Sequence, residues 1–404
     1  MATPAAPAAL AEITEHPPLT SLLLNVAHAI DHLVLLIFAT AVGSIAVDFG
    51  FSRWEDLMPF ATGAFVLFGL GSVPAGRLGD QWGRRAMMVL FHFGIGVSCL
   101  LAAITQNAWQ LAGALTLIGA FASIYHPVGI PMLVQHTKRP GAVIGINGLA
   151  GNLGIAVAAV LTGLLVKYFG WRMAFAVPGI VTILLGIVFW RVVPPEHAPP
   201  ARRAPRQSDL PRSELMRAVL VLTVTSTCAS LVFNFTTNGN GELMADRLRA
   251  VTTDPAAIGA LLGLVYVVAS FAQIIVGRAI DRYPLKNLFL FITLMQIPLF
   301  LIAAVATGWA FYAVAIAFMA FVFGAIPFTE AVIVRYVDDR MRSRVAGVRL
   351  AIAFGVSSLA VWALGPLVKA NGFGFLLALL AALAAVGAIA VTRLPPQPAA
   401  PPAR

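Results

Sequence analysis

The sequence has little charge and almost no cysteine. Charged residues make up 11% of the 404 residues, against about 25% in ordinary soluble domains, so most of this chain cannot face water. Its 2 cysteines, Cys99 and Cys228, lie in different apolar segments, which excludes a disulfide-rich scaffold. We expect both to be buried thiols, with neither a structural disulfide nor a metal bound to them.

Several motifs of enzymes and ATPases are also missing. The sequence contains no H-E-x-x-H zinc motif, no G-x-S-x-G nucleophile turn and no phosphate-binding P-loop. Hydrolysis and primary, ATP-driven transport therefore lack their residues. We predict a protein that is not an enzyme and that needs neither a cofactor nor a metal.

Long apolar runs make up most of the sequence. Hydrophobic residues amount to 59% of the chain, and a spanning helix needs about 20 of them in succession. Such runs recur nearly from end to end, separated by short polar segments. We predict an all-α integral membrane protein in the lipid bilayer with twelve spans, numbered 1 to 12, that start near residues 20, 55, 85, 108, 141, 171, 215, 256, 286, 308, 343 and 371.

One long break divides these spans into two sets of six. It begins with Pro194 and Pro195, and it carries Arg202, Arg203 and Arg206, as a flexible basic linker does. The predicted domains are a cytoplasmic tail over 1–19, a first six-helix bundle over 20–193, a cytoplasmic linker over 194–214, a second bundle over 215–393 and a cytoplasmic tail over 394–404.

The two sets of spans share a polar loop motif. Residues 76–85 read GRLGDQWGRR, and residues 277–282 read GRAIDR. Asp80 and Asp281 are 201 residues apart (281 minus 80), almost half of the chain, which indicates an internal duplication. Duplicated membrane halves are typical of secondary transporters.

The net charge of +10 follows membrane topology and does not indicate nucleic-acid binding. If the N-terminus is cytoplasmic, most loop cations lie on its side, including Arg77, Arg84, Arg85 and the linker arginines. The opposite loops hold few, such as Arg53 and Lys369. The positive-inside rule then predicts a multi-pass protein of the cytoplasmic (inner) membrane with both termini in the cytoplasm.

Twelve spans in two repeated halves, a basic linker and the G-x-L-x-D-x-x-G-R-R loop together resemble the major facilitator superfamily. The resemblance covers the whole chain and implies two pseudo-symmetric six-helix bundles. It also implies that the loop motif latches the outward-open state, with an acid and guanidinium groups forming a charge-assisted clasp; a solvated topogenic turn is the alternative. The implied latch residues are Gly76, Asp80, Gly83, Arg84, Arg85, Asp281 and Arg282.

A closer resemblance is to the fosmidomycin-resistance-like branch of that superfamily. It rests on Ala27-His28 with Asp31 in span 1, on Tyr125 to Gly129 in span 4, and on Gly148 to Gly154 in span 5. Span 4 has no Arg or Lys between 108 and 131. The span-4 arginine of typical multidrug antiporters is therefore missing.

Ionisable side chains inside spans 1 and 4 form the main site hypothesis. His28, Asp31 and His32 stand at i, i+3 and i+4, close to one helical face, and each ionisable group in a span costs at least about 2.5 kcal/mol. The superfamily arrangement brings spans 1, 4, 7 and 10 around a central cavity, where an acid beside imidazoles can exchange a proton. A static cluster that fastens spans 1 and 4 is the alternative. The predicted cavity residues are Asp31, His28, His32, His126, Asn25, Tyr125, Asn234, Asn238 and Phe328.

Two further features are expected to serve conformational change or packing. Glu330 lies near the cytoplasmic end of span 10, where Arg335, Arg344 and Arg349 follow, so we expect a salt-bridge gate and not a substrate site. Pro127 and Pro131 should kink span 4. Span 5 carries small residues for close helix approach at the interface between the halves, namely Gly145, Asn147, Gly148, Gly151, Asn152 and Gly154.

These features favour a monomeric secondary transporter that moves a small organic solute by alternating access. Proton-coupled antiport, hence efflux, is the predicted mode. A proton-coupled symporter for uptake of a small metabolite or organic acid uses the same fold and stays open. A non-transporting membrane sensor is the third alternative.

Overall fold

The computed structural model describes residues 18–135, 140–194, 211–336 and 339–395. Within these ranges the chain is helical and contains no strand. The helices are α1 Pro18–Asp48, α2 Thr62–Leu70, α3 Ser72–Trp82, α4 Arg84–Ala103, α5 Ala108–Ala122, α6 Ile130–Val134, α7 Pro140–Phe169, α8 Trp171–Val192, α9 Arg212–Arg247, α10 Pro255–Arg282, α11 Leu285–Val305, α12 Gly308–Gly324, α13 Ile326–Tyr336 and α14 Asp339–Thr392. Two short helical turns, Trp54–Asp56 and Met58–Ala61, precede α2.

Ten helical segments of the described residues are long and apolar enough to cross a membrane, and a bent pair is an eleventh. The bent pair is Trp54–Leu70 with Ser72–Trp82, which meet at 44° and form predicted span 2. Predicted spans 11 and 12 both lie in α14, where Gly372 has φ 76° and ψ 173° and interrupts the helix. Only glycine adopts that conformation without strain, so the twelve predicted spans are accounted for.

Span 4 is bent as its prolines predict. α5 ends at Ala122, Tyr125–Gly129 form a π-helical turn, and α6 continues from Ile130. Pro127 has no backbone N–H to donate, so the wider turn accommodates the missing bond. The kink is confirmed, and it turns the side chain of His126 toward α1.

Each half packs mainly on itself. In the first half α1 packs along α7 and α4 along α8, whereas in the second half α14 packs along α9 and α11. The halves meet where α7 contacts α10, where α14 contacts α2, and where α1 contacts α9. Buried apolar side chains of both halves join in one core.

The ion pairs that join the halves among the described residues lie at one membrane side, the side on which α1 ends, which we call the far end. Lys167 of α7 donates to Asp254 at 2.9 Å, and Lys369 of α14 pairs with Asp56. The Trp54 ring stacks on Phe373 with centroids 6.0 Å apart. The far end is therefore closed in this structure.

The predicted tails and linker lie largely outside the described residues. Residues 1–17, 195–210 and 396–404 belong to them. α1 begins at Pro18 and α9 at Arg212, within the predicted tail and linker respectively. The domain boundaries otherwise stay predictions.

Candidate functional site

α1 places three ionisable side chains on one face in the interior of the first half. His28, Asp31 and His32 are separated by three and four residues, so the helical repeat stacks them. His28 and Asp31 are buried, and His32 is half-buried. With His126, these residues are called the polar cluster below.

Asp31 is the most deeply buried member of the polar cluster. Its exposed fraction is 0%, and its Oδ2 lies 3.6 Å from Nε2 of His126. Within the described part of the chain, neither carboxylate oxygen accepts a hydrogen bond. An ionised carboxylate buried without such a partner is costly.

The ring of His28 is held from both sides. Its Nδ1 donates to the backbone oxygen of Asn147 at 2.7 Å, and its face stacks on Tyr125 with centroids 4.7 Å apart. In this tautomer Nε2 of His28 carries no proton and can accept a hydrogen bond. Nε2 of His32 lies 3.2 Å from it. The two imidazoles of α1 thus face each other.

The π-helical turn adds the third imidazole. The His126 ring lies edge-on to His28 and His32, with centroid distances of 5.2 Å and 5.9 Å. One ligand nitrogen from each of the three histidines lies within 4.8 Å of the other two. π-helical turns occur often at functional sites, and this one completes the polar cluster.

Asn147 of α7 ties the polar cluster to its surroundings. Its Nδ2 donates to Oδ1 of Asn25 at 2.8 Å and to the hydroxyl of Tyr125 at 2.7 Å. The Tyr125 hydroxyl in turn donates to the backbone oxygen of Leu24 at 2.9 Å. One hydrogen-bonded network therefore joins α1, the π-helical turn and α7. It contains four of the predicted cavity residues, His28, His32, Asn25 and Tyr125.

The glycines of α7 serve two different contacts. A Cβ atom at Gly154 would overlap the backbone oxygen of Ala29, and one at Gly151 would lie 2.6 Å from the His28 ring, so both let α1 approach. Gly148 instead faces Gln273 of the other half, to which Asn152 donates a hydrogen bond. Gly145 is exposed.

The predicted cavity residues of the second half are not in contact with the polar cluster. Nδ2 of Asn234 donates to the Ser230 backbone at 2.9 Å and to the Ser357 hydroxyl at 2.8 Å, and Nδ2 of Asn238 donates to the Asn234 backbone at 3.0 Å. Phe328 is fully buried and stacks on Phe289 with centroids 4.5 Å apart. Phe328 thus packs inside its own half.

The loop motif positions α3 and α4 within the first half. Gly83 has φ 88° and separates the two helices. Gly76 and Gly79 let α3 approach Pro127 and Val128 of the π-helical turn. Asp80 is exposed.

The arginines of the loop motif reach neighbouring elements of the same half. Arg85 donates to the backbone oxygens of Val193, at 2.5 Å, and Trp190. Arg84 donates to Oε1 of Gln135 at 3.1 Å. The latch stays a prediction.

The second copy of the motif and the predicted gate are described only in part. Arg282 is exposed, and a Cβ atom at Gly277 would meet open space. The side chains of Asp281, Glu330, Arg335, Arg344 and Arg349 lie outside the described residues. The gate therefore stays a prediction.

Sequence reasoning missed Glu242 of α9. Its Oε1 lies 3.0 Å from the position of a Cβ atom on Gly43 of α1, so it sits between the halves toward the far end. The available signal was an acid in the last third of span 7, one helical turn before Asp246. A Cβ atom at position 43 would crowd this carboxyl group, and the side chain of Glu242 would have to shift by a few tenths of an ångström.

Charged residues of the far end outside the spans have shifted pKa values. The hydrogen bond from Lys167 holds the pKa of Asp254 below its ordinary value. The hydrogen bond to Glu55 holds the pKa of Arg53 above its ordinary value. Asp254 and Arg53 are therefore both charged at neutral pH.

Comparisons with known proteins agree with this architecture. The model of the Major Facilitator Superfamily matches residues 24–245. The multidrug efflux pump LfrA of Mycolicibacterium smegmatis is 30% identical over 174 residues, 42% of this chain and 34% of the pump. The 4-hydroxybenzoate transporter PcaK of Pseudomonas aeruginosa is 26% identical over 147 residues, 36% of this chain and 33% of that transporter. The chain thus spans about a third of the length of each of these two relatives.

A solved structure matches nearly the whole chain. It is a bacterial homologue of the human lysosomal transporter Spinster, in an inward-facing and unoccupied conformation. The TM-score is 0.69 at 16% identity, and the match covers 94% of this chain and 95% of that chain. Likeness at this level of identity shows the fold.

Proposed function

This chain belongs to the Major Facilitator Superfamily, and on that premise we propose that it exports a small organic solute in exchange for protons by alternating access. The protein is a multi-pass membrane transporter of that superfamily. The direction and the coupling ion are the proposed part. In this proposal the energy for export comes from the proton gradient.

The observation that carries the proposal is the carboxyl group of Asp31, fully buried and 3.6 Å from Nε2 of His126. A carboxylate in such a place requires a cation nearby. In the proposed cycle a proton occupies this position in one state and the bound solute displaces it in the other. His28, His32 and His126 supply the neighbouring polar groups, and Asn25, Asn147 and Tyr125 hold them in place.

The closed far end supports alternating access. Lys167 with Asp254 and Lys369 with Asp56 join the halves there, so a solute would leave or enter at the opposite end. With the N-terminus in the cytoplasm, as the loop charges predict, this state is inward-facing. The protein would then act as a monomer in the inner membrane, with both termini cytoplasmic.

Export is favoured over uptake by the multidrug efflux pump among the relatives. The 4-hydroxybenzoate transporter among them favours the alternative, a proton symporter that takes up a small organic acid. A sensor without transport is the remaining alternative. Antiport and symport move protons in opposite senses for the same movement of solute, so one assay separates them.

The experiment uses inside-out membrane vesicles with an acid interior and a fluorescent pH probe. A panel of aromatic carboxylates, beginning with 4-hydroxybenzoate, and of lipophilic organic cations is added, and the accumulation of each labelled solute is measured in parallel. Antiport predicts that a transported solute accumulates and dissipates the pH gradient. In Asp31→Asn vesicles the solute should exchange without changing the gradient.

Two outcomes contradict the proposal. A solute that accumulates in wild-type vesicles without any change in the pH gradient excludes proton coupling. A solute that dissipates the gradient equally in wild-type and Asp31→Asn vesicles excludes Asp31 as the coupling group. Accumulation only in right-side-out vesicles with an acid exterior establishes symport instead of antiport.

A further inference from the structure

We propose that His28, His32 and His126 bind a divalent transition metal ion of the zinc type. The sequence predicted no metal site, because His126 is far in the chain from His28 and His32 and the three histidines match no zinc motif. The fold brings them together through the face of α1 and the π-helical turn. The inference does not depend on the direction or the coupling of transport.

The spacing of the nitrogen atoms fits a metal site. Zinc binds imidazole nitrogen at about 2.0–2.1 Å, so two nitrogens of a tetrahedral site are about 3.3 Å apart. Nε2 of His28 and Nε2 of His32 are 3.2 Å apart. The nitrogen of His126 completes a triangle whose sides are all within 4.8 Å, which exceeds the tetrahedral spacing by at most about 1.5 Å.

The hydrogen bond of His28 prepares the ring for a metal. A metal-binding imidazole usually donates its other N–H to a carboxylate or a backbone carbonyl, which fixes the tautomer and the ring orientation. His28 donates Nδ1–H to the backbone oxygen of Asn147 at 2.7 Å. Its Nε2 lone pair is therefore available to a metal ion, and Nε2 of His32 lies 3.2 Å away.

Asp31 supplies the negative charge that a metal ion needs. Its carboxylate oxygens are buried and accept no hydrogen bond within the described residues, and Oδ2 lies 3.6 Å from Nε2 of His126. A divalent cation between the imidazoles would be an electrostatic partner for this carboxylate in the state in which Asp31 carries no proton. Nitrogen ligands select zinc, cobalt, nickel and copper over magnesium and calcium.

All these groups belong to the first half. α1 gives two ligands and the π-helical turn gives one, while α7 orients His28. A bound metal would therefore not tie the two halves together. It would stay with the first half during a conformational change, and three protein ligands would leave a fourth coordination position.

The test uses protein purified without a polyhistidine tag and stripped of metal with a chelator. Isothermal titration with Zn²⁺ should give one tight site per chain, and Co²⁺ in its place should show the intense visible bands of tetrahedral coordination. Mg²⁺ should not compete. His32→Gln and His126→Gln each remove one ligand, and each should weaken Zn²⁺ binding at least about 100-fold.

Two controls separate this site from other histidines. His92 is also buried and also donates Nδ1–H to a backbone oxygen, that of Met88 at 2.7 Å, so His92→Gln should keep wild-type affinity. The triple variant His16→Gln, His136→Gln and His197→Gln removes as many imidazoles as the proposed site contains, from elsewhere in the chain, and should also bind normally. Thermal unfolding without metal checks that every variant is folded.

Unchanged Zn²⁺ affinity in folded His32→Gln and His126→Gln would overturn the proposal. So would a Co²⁺ spectrum typical of six oxygen ligands, or binding that the triple variant abolishes. None of these readouts involves transport. A failed transport assay therefore leaves the metal test intact, and the converse is also true.

Discussion

The Nδ1 atom of His28 lies 2.7 Å from the backbone oxygen of Asn147. This hydrogen bond joins α1 to α7 at the level of the polar cluster and fixes which nitrogen of His28 faces His32 and His126. It requires the two helices to approach closely, and the small residues of α7 permit that approach. The polar cluster therefore depends on helix packing as well as on its own side chains.

Gly154→Ala should separate α1 from α7. The new Cβ would overlap the backbone oxygen of Ala29, and forcing extra atoms into such a contact costs about 1–3 kcal/mol. Thermal unfolding in detergent should show the loss. Gly145→Ala on the same helix is the control, since its Cβ would meet open space and alanine gains about 0.5–1 kcal/mol in a helix. Equal stability of the two variants would contradict this packing.

Asp31→Asn should uncouple transport without unfolding the protein. The amide keeps the size of the side chain and removes the group that requires a cation, so solute exchange should continue while gradient-driven accumulation is lost. A purely structural role predicts the reverse, with lower thermal stability and intact accumulation. His126→Gln should shift the pH optimum of transport, because an amide cannot follow an imidazole through about pH 5 to 8.

The pair of Lys167 and Asp254 should make the closed far end sensitive to acid. Because the folded pKa of Asp254 is lower than its unfolded pKa of about 3.9, the pair stabilises the fold above that pH. The contribution is lost as the pH falls through the folded pKa. Asp254→Asn should remove this part of the pH dependence, and at neutral pH lower the melting temperature by no more than about 2 °C. If the melting temperature fell with decreasing pH in the same way in the wild-type protein and in Asp254→Asn, this role of the pair would be contradicted.

Asp80→Asn should bias the protein further toward the state closed at the far end. The predicted latch joins the halves at the near end, the membrane side opposite the far end. Weakening the latch therefore disfavours the state that is closed at the near end. Labelling of single cysteines from each side of the membrane measures the bias. Asp56→Asn releases Lys369 at the far end and should shift accessibility in the opposite direction. Unchanged accessibility in Asp80→Asn, with normal transport, refutes the latch.

The fold was largely predictable from sequence because the bilayer imposes one constraint on every span. Apolar runs of sufficient length, the repeated loop motif and the helix-breaking residues together locate all twelve spans. Gly372, for example, separates two spans that otherwise form one continuous helix. Pro127 predicted the bend in span 4, which the π-helical turn confirms.

The site was predictable only in part. Helical spacing shows which residues of one helix share a face, but it does not show which residues of two different helices meet. The i, i+3 and i+4 pattern identified His28, Asp31 and His32, but no pattern states that Asn147 holds His28 through its backbone. Phe328 looked like a cavity residue, whereas its stacking on Phe289 depends on how α13 meets α11. Glu242 was overlooked because it contacts Gly43 of another helix, and a glycine in an apolar span gives no sign in the sequence that it faces an acid.

Distance measurement between spin labels on the two halves tests alternating access most directly, because it needs no known substrate. Gln81 and Tyr283 are exposed at the near end, and Ser52 and Thr253 are exposed at the far end. Each pair is changed to cysteine in a background where the buried Cys99 and Cys228 are replaced by alanine. Lys167→Met and Lys369→Met then break both ion pairs of the far end.

We expect this double variant to gain a population in which the two far-end labels are further apart. The population in which the two near-end labels are closer together should grow to the same extent. The ratio of the two populations should change several-fold or less, since exposed ion pairs contribute little free energy to either state. Opening of the far end with no closure of the near end would contradict alternating access of two rigid halves.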